Sequence, residues 1–115
     1  MNDNFEKLKK VKEQKNSYDH LLKTEFCSDF VKKMQNRMVM SFFKYGSVEK
    51  SYKNGDINAL ESAFERVKKY KETGNREYLV DASNFIMCEF MYPQHKDEYF
   101  KGTDSDKSPG RIKND

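Results

Sequence analysis

Residues 56–93 read DINALESAFERVKKYKETGNREYLVDASNFIMCEFMYP, and this stretch decides the fold. Ile57, Leu60, Ala63, Phe64, Val67 and Tyr70 recur every three or four residues, as the apolar face of a helix does. Beyond Gly74-Asn75 the pattern resumes with Tyr78, Leu79, Ala82, Phe85, Ile86, Phe90 and Met91. Asp56 is placed to cap the first helix and Gly74 to end it; Asn75 is placed to cap the second and Pro93 to stop it. So short a link predicts two antiparallel neighbours.

Upstream, Ser47–Asp56 reads as a polar connection in which Asn54-Gly55 signals a turn. Before it, Cys27, Val31, Met34, Met38, Phe42 and Tyr45 form a helical stripe, widened by Phe26, Phe30 and Phe43. Thr24 is the expected cap of that helix and Gly46 its expected end. Core packing is the expected role of the stripe. In residues 1–23, Phe5, Leu8 and Val11 share a face amid lysines, which predicts a charged amphipathic helix. From Gln94 onward the chain turns polar.

Composition agrees with helices. Gly and Pro total seven in 115 residues, few for a chain that must turn often. Apolar residues are only 36%, equal to the charged share, yet aromatics reach 14%, which speaks against a disordered chain. The expectation is an all-α fold: a three- to four-helix antiparallel bundle with an irregular C-terminal segment. It forms one domain over 1–115, divided into a charged helix (1–23), a helical core (24–93) and a polar tail (94–115). The core is small, and a homo-oligomer could supply missing burial.

Charge and cysteines narrow the classes. A net charge of +3, from 22 basic and 19 acidic residues, is too mild for a dedicated nucleic-acid arm. Cys27 and Cys88 stand 61 residues apart and match no zinc or CxxC spacing, so two buried reduced thiols are expected. With no apolar leader and no span of membrane length, no membrane is expected and the cytoplasm is the expected compartment.

Polar residues on the helices point to chemistry. Glu77, Asp81, Asn84 and Cys88 step by four, three and four, one stripe beside the apolar face of the last helix. Glu89 follows the apolar row of Ala82 and Phe85 and needs a cation, a metal or a proton, with Arg37 and Arg66 as the candidate cations. Lys44 and Tyr45, and Lys69-Tyr70-Lys71, could touch phosphate and stack a base. Asp104 and Asp106 open a turn-rich tail suited to closing over a polar ligand. Their Asp-x-Asp-x-Ser start departs from a Ca²⁺ loop, because Pro109 stands where that loop needs Gly. His95, after Pro93, could serve acid–base chemistry.

Glu61 and Glu65 on one helix, with Glu77 and Asp81 on the next, resemble the acidic pairs of MazG-type all-α nucleotide pyrophosphatases. Here both spacings are four where that family has three. The resemblance implies Mg²⁺ held by these four residues and hydrolysis of a nucleoside triphosphate; otherwise no cofactor is expected.

A second resemblance is broader. Lys69-Tyr70-Lys71-Glu72-Thr73-Gly74-Asn75, Glu77-Tyr78-Leu79-Val80-Asp81, Asn84, Glu89-Phe90-Met91, Pro93, His95 and the TDSDKSPG tail look like small uncharacterised proteins of phages and prophages. The similarity spans roughly residues 37–111. It implies an accessory protein acting on a host pathway in the host cytoplasm, including counter-defence by binding a nucleotide or a host protein. The expected mode is binding without catalysis, in a polar pocket between helices. Arg37, Lys44 and Arg66 would meet phosphate and Tyr45 or Tyr70 would stack. Asp81 and Asn84 would bond polar edges, Glu89 would hold an Arg, and His95, Asp104 and Asp106 would complete the site. A protein–protein inhibitor of a host factor is the remaining expectation.

Overall fold

The structure is a computed structural model that describes residues 18–103. All regular structure within them is helical: α1 (residues 18–24), α2 (Ser28–Tyr45), α3 (Val48–Lys53), α4 (Ala59–Thr73) and α5 (Glu77–Met91). The all-α expectation therefore holds. Most of the expected 1–23 helix, and Asp104 and Asp106, lie outside the described residues. No helix among the described residues is long and apolar enough to cross a membrane.

Local chemistry sets the boundaries and moves several of the expected ones. Thr24 does not cap α2; its hydroxyl reaches back to the carbonyls of His20 and Leu21 at the end of α1. Cys27 takes the cap, its Sγ accepting the Phe30 N–H at 3.4 Å. Asp29 in the first turn of α2 pairs with Lys33 at 2.7 Å, which holds its carboxyl below the usual range. Residues 47–56 are not merely a connection. Ser47 Oγ accepts the Lys50 N–H, and Glu49 and Lys53 pair one turn apart at 2.7 Å, so a short helix forms. Val48 and Tyr52, also one turn apart, anchor it in the core.

The cap of α4 is Asn58 rather than Asp56. Its Oδ1 accepts the Glu61 N–H and its Nδ2 donates to the Glu61 carboxylate, both at 3.1 Å. Gly74 ends α4 in the left-handed region (φ +75°), its N–H donating to the Tyr70 carbonyl. Asn75 Oδ1 accepts the Glu77 N–H one residue ahead of the cap position of α5, which is Arg76 and makes no side-chain cap bond.

α4 and α5 pack along one another as a hairpin, while α2 touches α5 over a smaller area. The hairpin seam is built from small residues: Ala59, Ala63 and Ala82 are buried, with Val80 beside them. Tyr52, Ala59 and Cys88 form the central cluster, against which Met38, Val48, Ile57, Phe85 and Tyr92 are partly buried. The expectation that the α2 stripe forms a core is corrected. Val31, Met34 and Met38 are half-buried, whereas Cys27, Phe42 and Tyr45 are exposed and α2 buries no residue. The cause is coverage: among the described residues α5 is the only helix that packs substantially on α2.

From Pro93 to Thr103 the chain is irregular and exposed, and it touches the rest of the fold at Gln94 and Phe100. Gln94 donates its backbone N–H to Glu89 at 2.7 Å and its side-chain amide to the Ile57 carbonyl at 2.9 Å. Phe100 meets Phe90 edge-on, with ring centroids 6.2 Å apart.

Candidate functional site

A cleft of about 310 Å³ opens between α2, the start of α3, and the α4–α5 hairpin. Six of the residues expected at a ligand line it: Arg37, Lys44, Tyr45, Arg66, Asp81 and Asn84. They come from three helices. The α2 residues Arg37, Ser41 and Lys44 recur at helical spacing, as do Asp81, Asn84 and Cys88 on α5. Met38, Met40, Val48, Ile57 and Phe85 make the apolar wall.

The cations differ in how free they are. Arg37 does not stand open to an anion. Its Nη1 lies 3.2 Å from Glu77 and its Nε 3.3 Å from Asp81, so it ties α2 to α5. Arg66 lies over the Phe85 ring, its guanidinium carbon 4.9 Å from the centroid, and touches Glu65 only at 3.7 Å. Lys44 lies 5.2 Å from the Tyr45 ring centroid and has no acidic partner within 4 Å among the described residues. Among the residues that line the cleft, Arg37, Lys44 and Arg66 stand against Asp81, so the lining carries a positive surplus.

Asn84 is the buried polar group of the site, only 7% exposed. Its Nδ2 donates to the Met34 carbonyl across the α2–α5 contact at 3.1 Å. Its Oδ1 is buried and has no partner among the described residues. A buried acceptor left unpaired is costly, and this one belongs to a residue that lines the cleft. Cys88 adjoins it, and burial pushes its thiol pKa up, which keeps the group protonated and inert. Cys27, expected to be buried, is exposed instead because it is used as a cap.

The other expected residues lie elsewhere. Tyr70 is half-buried outside the cleft. Among the described residues Glu89 holds no arginine; it accepts the Gln94 N–H, just past Pro93. His95 is exposed, with Nδ1 accepting the Asp97 N–H at 3.0 Å in a turn.

The four carboxylates of the Mg²⁺ reading do not converge. α4 turns Ala59 and Ala63 toward its neighbours, so Glu61 and Glu65 point outward, and Glu77 and Asp81 are occupied by Arg37. Among the described residues no three His, Cys, Asp or Glu side chains group closely enough to hold a metal ion. The sequence reading also missed Phe85, Ser41, Val48 and Ile57 as cleft residues. For Phe85 a signal existed: an aromatic one residue after Asn84 shares its side of α5. A second depression near the start of α2 and the 74–76 link contains no buried unpaired polar atom.

No protein-family model, curated protein or solved structure matches the chain.

Proposed function

We propose that the chain is a phage-type accessory protein that binds a nucleotide or other phosphate-bearing ligand in the cleft of an antiparallel bundle formed by α2, α4 and α5. One observation carries this reading. The unpaired acceptor Asn84 Oδ1 shares a cleft with Lys44 and Arg66, cations whose charge is not fully neutralised. A small-molecule site commonly has this make-up: an apolar wall and a few convergent polar groups in roughly 300–1,000 Å³. Lys44 and Arg66 meet phosphate, Tyr45 stacks on a base, and Asn84 Oδ1 accepts an N–H from the ligand. Arg37 keeps Asp81 in place. The action is sequestration, by which a phage would withhold a nucleotide signal from host defence. The outward carboxylates disfavour the pyrophosphohydrolase reading.

Thermal-shift titration with ATP, GTP and cyclic nucleotides tests this, with pyrophosphate as the sugar-free control. Ligand at 100 times its Kd adds about 2.7 kcal/mol of stability, a Tm rise of several degrees. Lys44→Ala with Arg66→Ala removes the rise. No stabilisation by any of these ligands at millimolar concentration defeats the reading. That result would favour the inhibitor of a host protein, for which the exposed Val39, Phe42 and Phe43 of α2 offer a contact.

A further inference from the structure

The α4–α5 hairpin has two broad sides. One carries Asp81, Asn84, Cys88 and the Arg66–Phe85 stack, and faces α2 and the cleft. On α4, Leu60, Phe64 and Val67 stand about a quarter-turn from the buried Ala59–Ala63 row, at 100° per residue. On α5, Ile86 and Phe90 stand about a quarter-turn from the α4-facing rows and away from the side that meets α2. Both helices are right-handed and antiparallel, so the two apolar rows emerge on the same side, opposite the cleft. Counted equally from the 74–76 link, Phe64 and Ile86 share one height. These five residues are 45%, 71%, 40%, 54% and 72% exposed in chain order, and Phe100 extends the patch by its contact with Phe90.

We infer that this outer face of the hairpin is where a second copy of the chain docks, α4 against α4 in antiparallel array about a twofold axis. Area is the first reason. The five side chains and Phe100 leave roughly 700 Å² open, close to the ~800 Å² that each partner gives to a stable interface. A contiguous patch of this size exceeds what a monomer ordinarily exposes. Charge is the second. Leu60, Phe64, Val67 and Lys71 occupy the a and d places of a heptad, and Glu61 and Lys68 both occupy the outer e place. Antiparallel self-pairing centred beside Phe64 sets Glu61 against the partner's Lys68 and Lys68 against the partner's Glu61, an isologous match. Parallel pairing would set these e places against the partner's g places, which on α4 are the uncharged Ala63 and Tyr70, and so would leave the charges unmatched. Pairing α4 on the partner's α5 would meet Ser83 and Met87, which carry no charge. Lys68 has no ion-pair partner among the described residues, so it is available. The twofold also brings Ile86 to its own copy, and two hairpins complete a four-helix bundle. The cleft lies on the opposite side and stays open, so this inference does not depend on its ligand.

Sedimentation equilibrium of the full chain tests it, with helicity checked by circular dichroism. The chain is expected to sediment at twice its mass. Lys68→Glu and Glu61→Lys are each expected to loosen the dimer about tenfold, since each turns two attractive pairs into repulsive ones. The double exchange E61K/K68E restores wild-type affinity to within about threefold. Phe64→Asp, at an exposed position in the monomer, loosens it by roughly 100-fold or more. A monomer at 200 μM overturns the inference. So does a dimer indifferent to Phe64→Asp or dissociated instead by Phe42→Ala and Phe43→Ala. If Phe64→Asp does not fold, failure of the charge exchange to rescue association decides against it.

Discussion

Removing a single oxygen from Tyr52 should leave the protein at least as stable, and more stable still in alkali. Tyr52 is 9% exposed, and its hydroxyl is buried with no hydrogen-bond partner among the described residues. An unpaired buried hydroxyl costs about 1–3 kcal/mol, so Tyr52→Phe should gain roughly 1 kcal/mol at neutral pH, worth about 4–8 °C in Tm. The ring keeps its packing on Tyr92, 5.9 Å away between centroids. Burial first, then Cys88 once it ionises in alkali and the Glu89 carboxylate, push the phenol from its ordinary 10.0 up to about 12. The folded state therefore holds this proton where the unfolded chain has released it. Stability is constant below the unfolded value and falls as pH rises from 10.0 to about 12. Two units correspond to about 2–3 kcal/mol. Urea unfolding of wild type and Tyr52→Phe, followed by circular dichroism at several pH values from neutral to strongly alkaline, isolates this effect because other groups cancel in the difference. The gap should be near 1 kcal/mol at neutrality and widen by about 2–3 kcal/mol across the alkaline window. A variant destabilised by 1 kcal/mol or more at neutral pH, or a gap that does not change with pH, would refute the reasoning.

Three further outcomes follow from single contacts. Thiol reagents at mildly alkaline pH should label the exposed Cys27 rapidly and reach Cys88 only on unfolding; equal rates would contradict the burial of Cys88. Asn84→Ala loses the bond to the Met34 carbonyl but also removes the costly unpaired Oδ1, so stability from urea unfolding should change by less than about 1 kcal/mol, whereas a loss of about 2 kcal/mol or more would mean that Oδ1 is paired in solution. Gly74→Ala should cost about 1–2 kcal/mol from its positive φ alone, because nothing lies within 4 Å of an added methyl; a neutral result by calorimetry would show that the link relaxes.

The last two long helices were legible because their apolar rows keep helical spacing to the end. The cleft was legible for the same reason: Asp81 and Asn84, or Arg37 and Lys44, share a face by arithmetic. α3 was not, since six residues with Val48 and Tyr52 give too little period to see. Partners across the fold were also hidden. Arg37 is neutralised by residues 40 and 44 positions away, and no local pattern announces that choice. Glu89 sits on a row that suggests a buried ion pair, yet a backbone N–H just past Pro93 satisfies it. For α2, periodicity shows which side is apolar, but not whether another element will cover it.

The small area by which α2 meets α5 has a kinetic consequence. The hairpin closes through three linking residues, so its contacts are local and form fast. α2 joins it chiefly through Asn84 to Met34 and the Arg37 fork, contacts that close loops of 40 to 50 residues. Such a unit opens on its own at a fraction of the free energy of global unfolding. Its amides should exchange with solvent hydrogen ahead of those of α4 and α5. Because α2 is also one wall of the cleft, the entry and exit of any bound molecule would be timed by that opening, and a molecule bridging the two walls would slow the exchange of α2 most.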